Sequence, residues 1–240
     1  MTILVVGASG ATGRLLVAQL LDRGHSVTAV VRAQSRVLEP LADHQKLSLV
    51  RTTVLDLPDD ELVKLVDGCS AIVSCLGHTL SFSGIYGKPR RLVTDTVRKL
   101  CQATQAVKPT TAVKFVLMNT TGNSNRDIPE HISFGQRCVV GLLRVLLPPH
   151  VDNESAADYL RTGIGQNSAC IEWVVVRPDT LTDNAQVTEY ELHPSPTRSA
   201  IFDVGSTSRI NVGNFMARLV TDADTWQRWK GKMPVIYNVG

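Results

Sequence analysis

Short apolar runs alternate along the chain with longer segments in which apolar residues recur every three or four positions. The short runs lack a polar residue at every second position, which is typical of strands that are buried on both faces of a parallel sheet. They predict about seven strands, at residues 3–6, 26–31, 47–54, 71–76, 114–118, 171–176 and 235–239.

The segments between these runs have helical periodicity, with apolar stripes such as Leu92, Val97 and Leu100 on one face. They predict helices at residues 13–22, 59–66, 91–105, 153–162 and 212–221. Alternating strands and helices require right-handed crossovers. We therefore expect an α/β fold with a doubly wound, mostly parallel sheet and helices on both faces.

No linker rich in Pro, Gly or Ser divides the chain, and we expect a single domain over residues 1–240. Segments 121–150 and 184–207 lie outside the strand–helix repeat. Ligands of such sheets bind beyond the carboxyl ends of the strands, so these segments are the expected walls of a substrate pocket. An apolar helix at 134–147 has three possible roles: a pocket roof, a homodimer contact or, least favoured, a membrane-surface contact.

The composition is that of a folded globular protein, with 43% hydrophobic and 20% charged residues. The net charge is only +3, and no dense run of Lys and Arg indicates a nucleic-acid partner. The apolar stretch at 138–147 contains Arg144 and is too short to span a bilayer. The start of the chain lacks the basic segment of a secretory signal. We expect a cytoplasmic protein that binds a small molecule and no membrane.

The odd number of cysteines and the absence of a CxxC pair argue against a disulfide framework and against zinc. We expect buried free thiols in a reducing compartment and no metal site. The five cysteines are Cys69, Cys75, Cys101, Cys138 and Cys170.

The first predicted strand runs directly into a GxxGxxG turn at the start of a predicted helix. The first glycine permits a tight turn, the second lets the backbone approach a pyrophosphate, and the third allows close packing of helix and strand. Free N–H groups and the peptide dipoles at the helix N-terminus attract phosphate. This arrangement favours a Rossmann-type dinucleotide site over a turn without a ligand. The predicted contacts are Gly7, Ser9, Gly10, Ala11, Thr12, Gly13 and Arg14.

Arg32 ends the second predicted strand, about twenty residues after the last glycine. A carboxylate at this position would accept a hydrogen bond from the ribose 2′-hydroxyl of NAD(H), whereas a guanidinium suits a 2′-phosphate. Arg14 and Arg36 lie nearby in the sequence. The pattern predicts NADP(H) in preference to NAD(H), with a solvated surface charge as the alternative for each arginine.

Four further residues follow predicted strands at positions suited to the cofactor. Asp56 has two interpretations, a contact to the adenine amino group or a cap of the next helix. Leu76 and Gly77 come close to the expected cofactor ribose, where a glycine avoids a side-chain clash. Pro178 flanks the expected position of the nicotinamide carboxamide or forms a plain turn.

Together these features resemble the atypical short-chain dehydrogenase/reductase family, in particular the NAD(P)-binding group of NmrA-like proteins and biliverdin reductase B (flavin reductase)-like proteins. The resemblance implies a Rossmann core, NADP(H) or NAD(H), and often hydride transfer from the nicotinamide. It leaves the substrate open. The matching segments are 7–13, 30–32, 74–77, 113–116, 119–121, 173–178 and 210–216.

Many members of this family carry a Tyr-x-x-x-Lys pair, but here Tyr159 is followed at the fourth position by Gly163. We interpret Tyr159 as a packing residue. The biliverdin-reductase-B-like group also lacks the pair, and the resemblance implies that Thr120 and Asn153 face the nicotinamide. A hydroxyl and an amide can orient a substrate, but neither is a strong acid.

His78 follows the fourth predicted strand and is the histidine best placed for general acid work. Its alternative interpretation, a loop histidine beside the cofactor, is favoured over catalysis. Tyr86 and Tyr190 fall in predicted loops, and we interpret both as surface aromatics. Solvent or the substrate could then supply the proton.

Three functional hypotheses follow. The first is an NADP(H)-dependent oxidoreductase that reduces a small apolar or aromatic carbonyl, a quinone or a flavin-like acceptor. The second is a non-catalytic NAD(P) sensor of the NmrA-like type. The third is an epimerase-like or isomerising enzyme of the same fold.

Overall fold

The computed structural model of the protein describes residues 1–79, 81–130 and 133–239, except for the side chain of residue 83. Its strands have the following bounds: β1 (Thr2–Val6), β2 (Ser26–Val31), β3 (Leu47–Arg51), β4 (Ala71–Ser74), β5 (Val113–Met118), β6 (Ile171–Pro178), β7 (Thr180–Thr182), β8 (Tyr190–His193), β9 (Ser206–Ser208) and β10 (Val235–Asn238).

The helices connect these strands across both faces of the sheet. Their bounds are α1 (Ala11–Asp22), α2 (Asp59–Val66), α3 (Phe82–Tyr86), α4 (Leu92–Val107), α5 (Phe134–Leu146), α6 (Pro148–Asp158), α7 (Arg209–Thr221) and α8 (Ala223–Trp229). A short 3₁₀ turn covers Glu39–Leu41, and a π-helical turn, Tyr159–Ile164, extends α6. Within the described ranges, no helix combines the length and apolar character needed to cross a membrane.

The central sheet has the strand order β3-β2-β1-β4-β5-β6-β10-β8. The first seven strands in this order are parallel, and β8 pairs antiparallel with β10 at the edge. The predicted doubly wound, mostly parallel Rossmann-type sheet is confirmed. The strand order reverses between β1 and β4, and a switch point of this kind opens a crevice at the carboxyl ends of the strands.

Two apolar cores cover the two faces of the sheet. Ile3 and Val5 of β1 belong to the core that includes α1 and α7 residues, and Leu4 and Val6 belong to the opposite core under α2, α4 and α6. Successive side chains of a strand point to opposite faces. A strand with apolar residues at every position therefore packs against helices on both sides, which explains the runs without alternation.

The predicted helix at 153–162 is wrong at its start, because α6 begins at Pro148. Proline suits the first turn of a helix, since its missing N–H needs no partner there. Asn153 consequently lies in the middle of α6. The prediction that Tyr190 lies in a surface loop is also wrong. It lies in β8, packs against Phe215 and donates a hydrogen bond to Asn214 at 2.9 Å.

Two further expectations need correction. Tyr86 lies in α3 and not in a loop, but it is 41% exposed, so its interpretation as a surface aromatic is confirmed; its hydroxyl donates to the carbonyl of Leu146 at 3.0 Å. The expected buried free thiols are found at Cys69, Cys75 and Cys101, whereas Cys170 is partly buried and Cys138 is exposed on α5. This helix buries Gln136 and Val140 and leaves Phe134 and Val145 at least 80% exposed.

Candidate functional site

Gly7 follows β1 at the switch point and has φ of +71°, a conformation that side chains with a Cβ rarely adopt. A Cβ at Gly7 would lie 2.6 Å from the carbonyl carbon of Cys75, which follows β4. The turn therefore requires glycine for its conformation and for the close approach of two backbones.

Gly10 and Gly13 let the start of α1 approach this turn. A Cβ added to Gly10 would lie 3.1 Å from the carbonyl oxygen of Gly7. A Cβ added to Gly13 would lie only 2.2 Å from the same oxygen. The Gly10 N–H donates to the same oxygen at 3.0 Å. The geometry at Gly7 and Gly13 is the tight turn and the close helix packing that the sequence pattern predicts.

The first turn of α1 is built to receive an anion. Gly10 caps the helix in an extended conformation without a side-chain cap, and no acidic residue lies in the first turn. The opening N–H groups of a helix have no acceptor within the helix, and the dipole adds positive potential there. The Thr12 side chain is buried. Ala11, Thr12 and Gly13 can therefore offer backbone N–H groups to a phosphate.

A cleft of about 460 Å³ opens from this loop along the ends of β1, β2, β3 and β4. Seven of the predicted site residues line it together: Gly7, Ser9, Gly10, Arg32, Leu76, Gly77 and His78. No described protein atom lies within 4 Å of a Cβ built on Gly77, so a clash at that position could come only from a bound molecule. Cys75 also lines the cleft, and burial raises its pKa to about 12, which keeps the thiol protonated.

Arg32 lines the cleft, whereas Arg36 and Arg51 line a separate pocket formed with the loop after β2. Arg32 is exposed directly after β2, and Arg51 pairs across the sheet with Val31. Arg51 donates to the carbonyl of Ser35 at 2.8 Å and so holds the loop after β2. Arg36, in the same loop, lies 3.7 Å from Glu39. Arg32 is thus the arginine of this group that lines the cleft itself.

Asp56 is exposed beside the residues of the β3 end that line the cleft, 52–55. It accepts a hydrogen bond from the Thr53 hydroxyl at 2.6 Å. The residue preceding α2 is Pro58, and no side chain caps that helix. The helix-cap interpretation of Asp56 is therefore wrong, whereas its contact to adenine stays a prediction.

His78 is almost fully buried and engaged at both ring nitrogens. Nε2 lies 2.8 Å from Asp152 Oδ2, and Nδ1 lies 3.1 Å from the carbonyl oxygen of Gly84. The Asp152 carboxylate also accepts the N–H groups of Val93 and Thr94 at the start of α4. His78 would have to release one of these acceptors to serve a substrate, so its role as an acid stays a prediction.

Three predicted residues lie outside the lining of this cleft: Thr120 follows β5, Pro178 ends β6 and Asn153 lies in α6. Asn119 joins two of these elements, because its amide donates to the Asn153 carbonyl at 2.9 Å and its Oδ1 accepts the Thr120 N–H. The Pro178 carbonyl accepts the N–H of Thr121 at 3.1 Å. The fold thus gathers the three residues around the end of β5.

The cofactor cleft agrees with a comparison of the sequence with known families. Residues 7–223 match the sequence profile of a family described as NAD(P)H-binding. The chain belongs to this NAD(P)H-binding family. A stretch of 80 residues is also 34% identical to an uncharacterized chloroplastic protein of Arabidopsis thaliana. That match spans 33% of this chain and 29% of the plant protein.

Solved structures share the fold of this NAD(P)H-binding protein at low sequence identity. A short-chain dehydrogenase/reductase from Veillonella parvula, in complex with NADP, superposes with a TM-score of 0.69 at 16% identity, over 100% of this chain and 95% of that one. The anaerobillin reductase ChuY from Escherichia coli O157:H7 gives 0.69 at 14% identity, over 99% and 97% of the two chains. The oxidoreductase ylbE from Lactococcus lactis gives 0.68 at 19% identity, over 100% and 91%.

Tyr159 begins the π-helical turn at the end of α6 and packs against the core on one side. The Arg98 guanidinium lies over its ring, 5.2 Å from the centroid, and a Cβ at Gly163 would lie 2.9 Å from the ring. Burial raises its pKa. These contacts support the interpretation of Tyr159 as a packing residue.

The sequence analysis missed a second histidine–carboxylate pair at the β5 end. His150 Nε2 lies 3.4 Å from Glu154 Oε1. Arg144 of α5 donates two hydrogen bonds to the same carboxylate, from Nε and from Nη2, each at 2.9 Å. Burial disfavours the charged form of Glu154, but the hydrogen bonds and charges of His150 and Arg144 outweigh it and lower the pKa to about 2. Glu154 is thus a carboxylate at neutral pH.

Proposed function

We propose that the protein is an NADP(H)-dependent oxidoreductase that reduces a small apolar or aromatic carbonyl, a quinone or a flavin-like acceptor. The observation that carries the proposal is one cleft with a glycine cradle at the N-terminus of α1 and Arg32 at its other end. Bound there, a reduced nicotinamide supplies the hydride. The chain itself contributes binding, orientation and exclusion of water.

The preference for NADP(H) follows from the charges at the far end of the cleft. Arg32 occupies the position at which NAD(H)-binding proteins usually place a carboxylate. Arg51 holds the loop after β2 through the carbonyl of Ser35, and Arg36 in that loop pairs with Glu39. A guanidinium can bind a phosphate through two parallel hydrogen bonds. The NADP complex of the Veillonella parvula neighbour supports the same choice.

The acceptor side rests on the polar groups at the end of β5. The Thr120 Oγ1 already accepts the Gly122 N–H at 3.2 Å, which leaves its own proton free to bond to an acceptor oxygen. Asn153 lies in the middle of α6, and its carbonyl is held by the Asn119 amide beside Thr120. The reductase and oxidoreductase names of two structural neighbours support a reduction.

The test is to mix purified protein with NADPH and panels of quinones, flavins, aldehydes and ketones, and to follow the loss of nicotinamide absorbance. We expect turnover with at least one acceptor class. The Arg32→Glu variant should have a lower turnover rate when NADPH is below saturation. Tight NADPH binding without turnover of any acceptor would overturn the oxidoreductase proposal and favour a cofactor sensor.

A further inference from the structure

Three groups with proton-transfer chemistry approach one another where β5 ends against α6. Two of these groups, Thr120 and His150, lie beside Gly122, whose missing side chain leaves a small space, and the third, Glu154, lies behind His150. The point that a Gly122 Cβ would occupy is 3.7 Å from Thr120 Oγ1, 3.5 Å from His150 Cε1 and 3.9 Å from His150 Nδ1. Thr120 and the Nδ1 edge of His150 therefore face the same space.

The opposite edge of His150 is directed at Glu154. The imidazole is 11% exposed, and its Nε2 lies 3.4 Å from Oε1 of the carboxylate that Arg144 fixes in place, within ion-pair distance but without the geometry of a hydrogen bond. A carboxylate accepts and cannot donate, so Glu154 favours the tautomer with hydrogen on Nε2. Among the described residues, Nδ1 has no hydrogen-bond partner, and this edge of the ring faces the space at Gly122.

We propose that Thr120, His150 and Glu154 form the proton-donating site of this protein, with the space at Gly122 receiving the acceptor oxygen or a water bound to it. The inference rests on the proposed reductase function and assigns the acid that the sequence leaves open. Glu154 and Arg144 are positioning residues: the carboxylate orients His150, and the guanidinium fixes the carboxylate.

The proton and electron balance is complete for a carbonyl acceptor. The hydride forms a C–H bond at the carbonyl carbon, and the C=O π electrons move to the oxygen. His150 gives its Nδ1 proton to that oxygen, directly or through the Thr120 hydroxyl, which passes on its own proton and receives that of His150. NADPH is oxidised, the carbonyl becomes an alcohol, and solvent reprotonates His150.

His78 offers no comparable free edge, because its two ring nitrogens face Asp152 and the Gly84 carbonyl. The charged groups at His150 are Glu154 on its own helix and Arg144 from α5. The neighbours from the β5 end, Thr120 and Gly122, are neutral. A buried imidazole with one fixed and one free nitrogen suits a proton donor.

The first test replaces His150→Gln and measures single-turnover reduction at saturating NADPH with an acceptor found for the wild type. General acid catalysis contributes about 100- to 10,000-fold. We expect a fall in rate of that order, an unchanged NADPH Kd and partial rescue of His150→Ala by added imidazole. His193→Gln is the matched control, since His193 also pairs with a glutamate, Glu191 at 3.1 Å, but on the edge strand β8. It should retain the wild-type rate.

The second test fills the space with Gly122→Ala. The added methyl group would meet His150 and Thr120 at ordinary contact distances, so the variant should fold and bind NADPH normally. We expect it to lose most of its turnover. A third readout requires no turnover: imidazole nitrogen NMR of the protein alone should show the Nε2–H tautomer at His150, and Glu154→Gln should weaken that preference.

The outcomes separate this inference from the proposed function. If the wild type reduces an acceptor and His150→Gln does so at the same rate, the proton-donor assignment is wrong and the reductase proposal stands. An Nδ1–H tautomer at His150 would also overturn the assignment. If the wild type reduces no acceptor, the proposed function and the inference fall together.

Discussion

Gly13→Ala tests the glycine cradle, because the added Cβ would lie 2.2 Å from the carbonyl oxygen of Gly7. Ordinary van der Waals contact begins at 3.4 Å, so α1 and the turn must separate by about 1 Å. Overpacking costs about 1–3 kcal/mol. Alanine has a higher helix propensity than glycine, which by itself raises the free energy of unfolding by about 1 kcal/mol. We expect a net loss of up to about 2 kcal/mol in the free energy of unfolding, measured by urea denaturation.

The same displacement moves the N–H groups of the first turn of α1 away from the cofactor phosphates. Losing one hydrogen bond to a charged group costs about 1.5–3 kcal/mol, which corresponds to at least a tenfold rise in the NADPH Kd. Gly141→Ala is the matched control: Gly141 is also helical, and no described atom lies within 4 Å of its Cβ position. The reasoning is refuted if Gly13→Ala matches Gly141→Ala in stability and the wild type in affinity.

Three further substitutions probe the charges of the site. Arg32→Glu should weaken NADPH binding at least tenfold, which is about 1.4 kcal/mol, and should weaken NADH binding less. Titration with both cofactors measures the two losses, and equal losses would contradict a contact to the 2′-phosphate. Asp152→Ala removes the buried carboxylate that contacts His78 and the start of α4, and should lower the free energy of unfolding by about 3–5 kcal/mol. The control is Asp183→Ala: Asp183 is exposed, and its loss should lower the free energy of unfolding by less than about 1 kcal/mol. Glu154 has a lowered pKa in the folded state, so its ionised form stabilises the fold above the unfolded pKa near 4.5, and this contribution is lost as the pH falls toward 2. Glu154→Gln should therefore flatten the curve of unfolding free energy against pH in this window. An unchanged curve would contradict the pairing of Glu154 with Arg144 and His150.

The parallel sheet and the glycine loop could be predicted because both leave local patterns in the sequence. Strands buried on both faces are apolar at every position, and the turn at Gly7 joins neighbouring residues. The edge strand β8 gave no such signal, since it is short and at most partly buried. Its position depends on antiparallel pairing with β10, more than forty residues away in the sequence.

The substrate end was harder to predict because contacts between distant residues assemble it. Asn119 contacts Asn153 across 34 residues, and His78 contacts Asp152 across 74. One signal was available: with α6 starting at Pro148, His150 and Glu154 stand at i and i+4 on one helix face. The predicted helix began at Asn153, so His150 fell outside it and the pair was not recognised.

The central claim is that the cleft between Gly7 and Arg32 holds NADP(H). Calorimetric titration of the wild-type protein with NADPH, and separately with NADH, tests it most directly. We predict one site per chain, a micromolar or lower Kd for NADPH, and an affinity for NADH at least tenfold weaker, a difference of about 1.4 kcal/mol. Absence of binding, or equal or tighter binding of NADH, would contradict the account.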